Sequence, residues 1–155
     1  MCNYCGCRAF PLIARLSVEH EAVANAAGRL RRAITGGEGD PFKALDDLLA
    51  LLLPHTTVEE VGLFAELRAE GSLSEAVDQL CAEHDDIHGV LGVVDRSAPD
   101  WPPVLDALER LYRHIDNEEH GLFPASVVAL PMDAWDRVTL NVPSAPSPST
   151  EGRGG

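Results

Sequence analysis

The sequence predicts an all-α protein: an antiparallel up-and-down four-helix bundle, followed by a short C-terminal fifth helix and a disordered tail. Three observations predict it. Apolar residues recur at three-four spacing in four long segments. Short stretches rich in Gly, Pro and Asp separate those segments. No segment shows the sustained alternation of a strand or the turn chemistry of a hairpin. Short connections between long amphipathic helices make sequence neighbours antiparallel. A chain of 155 residues has room for one domain, which we read as residues 10–141, preceded by a cysteine-rich segment at residues 1–9 and followed by the tail at residues 142–155.

In the first helix Ile13, Leu16, His20, Val23, Ala27, Leu30 and Ile34 form one stripe, with a histidine inside it. Gly36, Gly37 and Gly39 end the segment. Asp40 and Pro41 read as N-cap and first residue of the second helix, which runs to about Glu70. Pro54 lies inside it, lacks a backbone donor and predicts a kink just before His55. Ser72 to Glu75 spells a capping box for the third helix, whose stripe is Val77, Leu80, His84, Ile87, Leu91 and Val94. The fourth pattern is Val104, Leu108, Leu111, Ile115, Glu118 and Leu122, and Pro124 is expected to end or bend it. Met132 to Leu140 is the short fifth helix, docked by Trp135 and Val138. From Pro143 onward nothing apolar larger than Ala145 remains to be buried.

Lys and Arg number 12 against 25 Asp and Glu, a formal charge of −13. Such a chain repels phosphate backbones and anionic headgroups, so neither nucleic acid nor membrane is expected as a partner. The longest strictly apolar run, Leu48 to Leu53, is far short of the roughly 20 residues of a membrane span. The N-terminus has no signal-peptide stretch, and a cytoplasmic protein is expected.

Aligning the second and fourth helices reveals an internal repeat. His55-Thr-Thr-Val-Glu59-Glu60-Val-Gly-Leu-Phe64 and His114-Ile-Asp-Asn-Glu118-Glu119-His-Gly-Leu-Phe123 both read H-x-x-x-E-E-x-G-L-F. The first and third helices share Glu19-His20-Glu21 and Glu83-His84-Asp85. The chain is therefore two related helical hairpins.

Helical residues four apart lie about 40° from each other, so His55 with Glu59, and His114 with Glu118, address one point in the interior. Rotation of about 100° per residue sets Glu59 and Glu118 nearer their apolar stripes than Glu60 and Glu119. His20 and His84 occupy core positions, and His88 follows His84 by one turn. The inward set is His20, His55, Glu59, His84, His88, His114 and Glu118, a composition that suits two adjacent ions of iron, manganese or zinc. Buried carboxylates without such partners would cost several kcal/mol. His120 falls outside the face used by His114 and Glu118 and is expected at the surface.

On these motifs the sequence resembles the hemerythrin-like family, marked by H, H-x-x-x-E, H and H-x-x-x-E in order, from about Phe10 to Pro124. The resemblance implies a four-helix bundle holding two iron ions, non-haem, bridged by two carboxylates and an oxo or hydroxo group. In the family's oxygen carriers an H-x-x-x-H pair lies on helix three, which here falls on His84 and His88. Their last carboxylate is an aspartate five residues after its histidine. Here Glu119 stands at five and Glu118 at four, which leaves the second bridge open between them.

The function expected is the binding or sensing of oxygen, nitric oxide or redox state, without turnover. The alternative is an oxidoreductase that decomposes peroxide, which requires water or a proton donor to reach the bound ligand. No protein partner is indicated. Cys2, Cys5 and Cys7 spell C-x-x-C-x-C. Without a second C-x-x-C for a zinc ribbon they read as free thiols, and Cys81 as a small buried residue.

Overall fold

The computed structural model describes residues 6–145, and these form an all-helical bundle without a strand. Cys2 and Cys5, and the expected tail from residue 146 onward, lie outside the described residues. A 3-10 turn, Cys7–Ala9, leads into α1, Pro11–Gly36. Gly37 closes α1 in the left-handed region, φ 67°, and its N–H caps the carbonyl of Arg32. Asp40 caps α2, Pro41–Glu59, through a 2.9 Å bond from the Phe42 amide, as its position ahead of Pro41 predicts. A π-turn, Glu60–Phe64, joins α2 to α3, Ala65–Glu70. Next come α4, Ser74–Leu91, and α5, Trp101–Asn117. A second π-turn, Glu118–Leu122, leads from α5 to α6, Phe123–Ala129, and α7 spans Met132–Asn141.

Helix α1 packs on α2 and α5, and α4 packs on α5 and α2, so the four long helices surround one interior. Helix α2 continues through Pro54, and a π-turn follows Glu59. Two local expectations are corrected. Pro124 does not end its helix: it sits at the start of α6 just after the second π-turn, where a missing N–H costs little. The capping box is not formed, because the Ser72 hydroxyl and amide both bond the Glu70 carboxylate and α4 begins only at Ser74.

The interior holds two apolar cores with a polar layer between them. One, around Leu16, Val58, Phe64, Leu80 and Phe123, lies toward the α7 end; the other gathers Val23, Leu52, Ile87 and Leu111. His20 stands between Leu16 and Val23, His55 between Leu52 and Val58, and His84 between Leu80 and Ile87. The three-four spacing that carries each apolar stripe thus brings one histidine per helix to the same level. The stretch Pro41–Glu70 is long and apolar enough to cross a membrane, but half of its apolar window is buried in the bundle and it carries His55 and Glu59 inward.

Candidate metal centre

Each long helix contributes one histidine to the buried layer, and α2 and the second π-turn each add a glutamate. Two groups result, sharing both carboxylates: His20, His55, Glu59 and Glu118, and His84, His114, Glu59 and Glu118, with the ligand-type atoms of each group within 4.8 Å of one another. All six residues are buried, and the two carboxylates are 0 % exposed.

The carboxylates divide their oxygens between the groups. Glu59 Oε1 lies 2.9 Å from His55 Nε2 and 3.2 Å from His20 Nε2, while its Oε2 lies 3.2 Å from His84 Nε2. Glu118 Oε2 lies 3.0 Å from His20 Nε2, and its Oε1 3.1 Å from His114 Nε2.

An outer ring of four glutamates holds the imidazoles. His20 Nδ1 donates to Glu119 Oε1 at 2.8 Å, His55 Nδ1 to Glu19 Oε2 at 2.8 Å, His84 Nδ1 to Glu60 Oε1 at 2.8 Å, and His114 Nδ1 to Glu83 Oε2 at 2.7 Å. An ionised carboxylate only accepts, so the proton belongs on Nδ1 and Nε2 is left as a lone-pair donor aimed inward. Every bond of the ring crosses between helices, α1 to the second π-turn, α2 to α1, α4 to the first π-turn, and α5 to α4. The conformation of the repeat explains its spelling. Within H-x-x-x-E-E-x-G-L-F the first glutamate turns inward, and the second, opening or extending the π-turn, reaches the histidine of a neighbouring helix. The final phenylalanine stacks on that same histidine: Phe64 on His84 at 5.8 Å, and Phe123 on His20 at 5.5 Å. Insertion of a π-turn beside functional side chains is a recurrent device.

Charge in the layer is strongly perturbed. Burial disfavours protonation of His20, but the carboxylates of Glu118, Glu119 and Glu59 beside it outweigh that and push its pKa up to about 11. The same contest, with Glu59 and Glu19 as the partners of His55 and Glu118 and Glu83 as those of His114, raises both rings to about 9. Burial acts to raise Glu59, yet His55, His20 and His84 hold it well below the usual carboxylate range. The layer therefore demands positive charge.

The donor set fits metal cations. Glu59 Oε2 and both oxygens of Glu118 are fully buried and accept no hydrogen bond, although imidazole nitrogens stand 3.0–3.2 Å away. Close approach without hydrogen-bond alignment is what lone pairs converging on a shared point produce, and buried unsatisfied carboxylate oxygens are otherwise costly. His84 Nε2 and His114 Nε2 face each other at 2.9 Å while each ring donates through Nδ1, so a cation between them suits both.

Six of the seven residues picked out from the sequence are brought together. His88 is not: its half-buried ring stacks 6.0 Å from His84 one turn along α4, and its Nε2 lies 3.3 Å from Thr56 Oγ1. Glu118 rather than Glu119 points into the layer, and His120 is exposed, bonded to Asp116. The ring of Glu19, Glu60, Glu83 and Glu119 is not apparent from helical spacing alone. Its signals are the paired glutamates of the repeat and the Glu-His dipeptides at 19–20 and 83–84. Cys7 corrects the free-thiol expectation, being buried and disulfide-bonded. Cys81 is a half-buried free thiol beside Arg68, its pKa raised by burial and by Glu60.

A helical bundle with buried, shared His and Glu groups defines a metal-binding helical domain. The hemerythrin family, described as the hemerythrin HHE cation binding domain, matches residues 11–126, and the chain belongs to it. No curated protein and no solved structure matches the chain.

Proposed function

We propose that the protein is a non-haem di-iron protein that binds or senses a small diatomic ligand, oxygen or nitric oxide, or reports the redox state. In this reading the four long helices run antiparallel, up and down. His20 and His55 would hold one ion and His84 and His114 the other, with Glu59 and Glu118 shared between the two groups. Iron in this site supplies a redox-active pair with a coordination position for a small ligand.

The rest falls to the chain. The outer glutamates keep each Nε2 inward and strengthen it as a donor. Phe64 and Phe123, stacked on two of the rings, and the apolar cores above and below exclude water and keep the local dielectric low. The carrying observation is that both carboxylates split their oxygens between two histidine pairs, which a single-ion site does not require. We take its compartment to be the cytoplasm, as composition suggests. The test is metal analysis with visible spectra of the reduced protein before and after oxygen, nitric oxide and azide. A stoichiometric, reversible change supports the reading, and the lack of any iron-dependent absorption contradicts it.

One feature favours a second reading, removal of peroxide. A cavity of about 270 Å³ opens beside His20 and is lined by Ser17, Glu21, Tyr112, Asp116, Glu119 and His120 among others. It brings hydroxyl and carboxyl groups, and room for water, to one histidine pair. Steady oxygen evolution from peroxide over many turnovers selects this reading, whereas a single stoichiometric response selects the first.

A further inference from the structure

The two hairpins differ in what covers the glycine of each repeat. Gly62, in the first π-turn, is buried under α7: a Cβ placed on it would lie 2.5 Å from Val142 Cγ1, 3.7 Å from Val138 Cγ1 and 3.5 Å from Leu12 Cδ2. The seat adds polar contacts, for Glu66 accepts from Arg137 of α7 at 3.1 Å and Arg15 donates to the Pro143 carbonyl. Gly121, in the second π-turn, is exposed, and nothing stands within 4 Å of its Cβ position.

Laying His20 on His84 and His55 on His114 puts Gly121 on Gly62, Ala76 on Leu12, Gln79 on Arg15 and Ala125 on Glu66. These second-half residues, with Leu80 and Leu122, line one open groove of about 270 Å³, and no lining residue is charged. We propose that this groove is a second helix seat, the open twin of the one α7 fills, and that it takes an amphipathic helix of α7's type from another polypeptide.

The chemistry of the guest is read from α7. Ala134, Val138 and Val142 recur at every fourth position, presenting small and β-branched side chains to the glycine. Residues 144–155 hold nothing apolar larger than Ala145 and do not supply a helix of this kind. A second copy brings a like charge of −13 toward a face where α4 carries exposed Glu75 beside Ala76, and Glu83 accepting from Gln79 at 3.3 Å. A helix with basic flanks from a different protein is favoured there.

The probe is a fluorescent peptide of residues 130–143 carrying lysines in place of Asp133 and Asp136, titrated into the full chain, with amide shifts followed by NMR. One peptide should bind per chain, moving Ala76, Gly121 and Ala125. Gly121→Leu, which fills the groove, should weaken binding at least tenfold with metal content and melting unchanged. Ala125→Glu, which supplies the acid that Arg137 meets in the twin seat, should tighten it about two- to fivefold. Absence of binding overturns the proposal, as do shifts centred on Gly62 and Leu12. So does dimerisation without peptide that Gly121→Leu abolishes, because the occupant is then a second copy.

Discussion

Glu119 Oε1 accepts a hydrogen bond from His20 Nδ1 at 2.8 Å, so the second π-turn holds the imidazole of the first helix. The Ser17 hydroxyl donates to the other oxygen of the same carboxylate at 3.1 Å, and only 12 % of the side chain is exposed. Burial alone would raise Glu119; the bonds from His20 and Ser17 lower it. Four such clasps close a ring around the buried layer, and this one is the least exposed of the four.

Loosening that clasp should weaken metal binding without touching a ligand. Glu119→Ala is expected to lower metal affinity about 10- to 100-fold, measured by competition with a chromophoric chelator. Glu119→Gln keeps an acceptor for the Nδ1 proton and should recover part of the loss. Equal affinity for the two variants would show that the hydrogen bond to His20 has no role.

Histidines that look alike in sequence should behave differently. His114→Ala removes a buried donor and leaves Glu83 Oε2 and Glu118 Oε1 without their imidazole, so metal should be lost together with about 3–5 kcal/mol of stability. His120→Ala, at an exposed site, should stay within about 0.5 kcal/mol and keep full metal content. His88→Ala should also keep its metal. Metal analysis and urea melts of the three variants check this, and metal loss in His88→Ala would place that ring among the ligands.

The two repeat glycines give a paired stability test. Gly62→Ala forces a methyl against Val142 and should destabilise by about 1–3 kcal/mol. Gly121→Ala meets open space and should be neutral or stabilising by up to about 1 kcal/mol, as expected of a glycine in an exposed helix interior. Denaturant midpoints that move alike in both would remove the asymmetry between the hairpins.

The metal-free chain should show a specific pH profile. His20, His55 and His114 are raised from the ordinary 6.5 to about 11, 9 and 9. Their ion pairs therefore stabilise the fold fully below about pH 6.5 and are lost as pH climbs through about 9 and beyond. Glu59 is shifted the other way, so its contribution is lost as pH falls below the ordinary 4.5 toward its folded value. Urea midpoints of metal-free protein should fall between pH 6 and pH 10, and metal uptake at pH 7 should release protons. A flat alkaline limb, or uptake without proton release, contradicts this charge assignment.

Much of the bundle was legible because periodicity reports burial directly. The stripes through Leu16, Leu80 and Leu108, the Asp40 cap, and Trp135 and Val138 in α7 all follow from spacing and local chemistry. All six residues of the polar layer were legible for the same reason. The π-turns were not, since a one-residue insertion in a helix leaves no mark on a three-four pattern, and with them went the continuation of the helix past Pro124. His88, picked out by the same four-residue step, stands beside His84 and outside the two His-Glu groups. The outer glutamates escaped because each bonds a histidine on a different helix, a relation that sequence distance does not encode.

The most direct test counts metal. Iron-reconstituted protein should hold two ions per chain, and exhaustive chelation should bleach its visible absorption and lower its melting temperature together. Protein that stays colourless, binds no more than one ion, and melts identically before and after chelation would contradict the account.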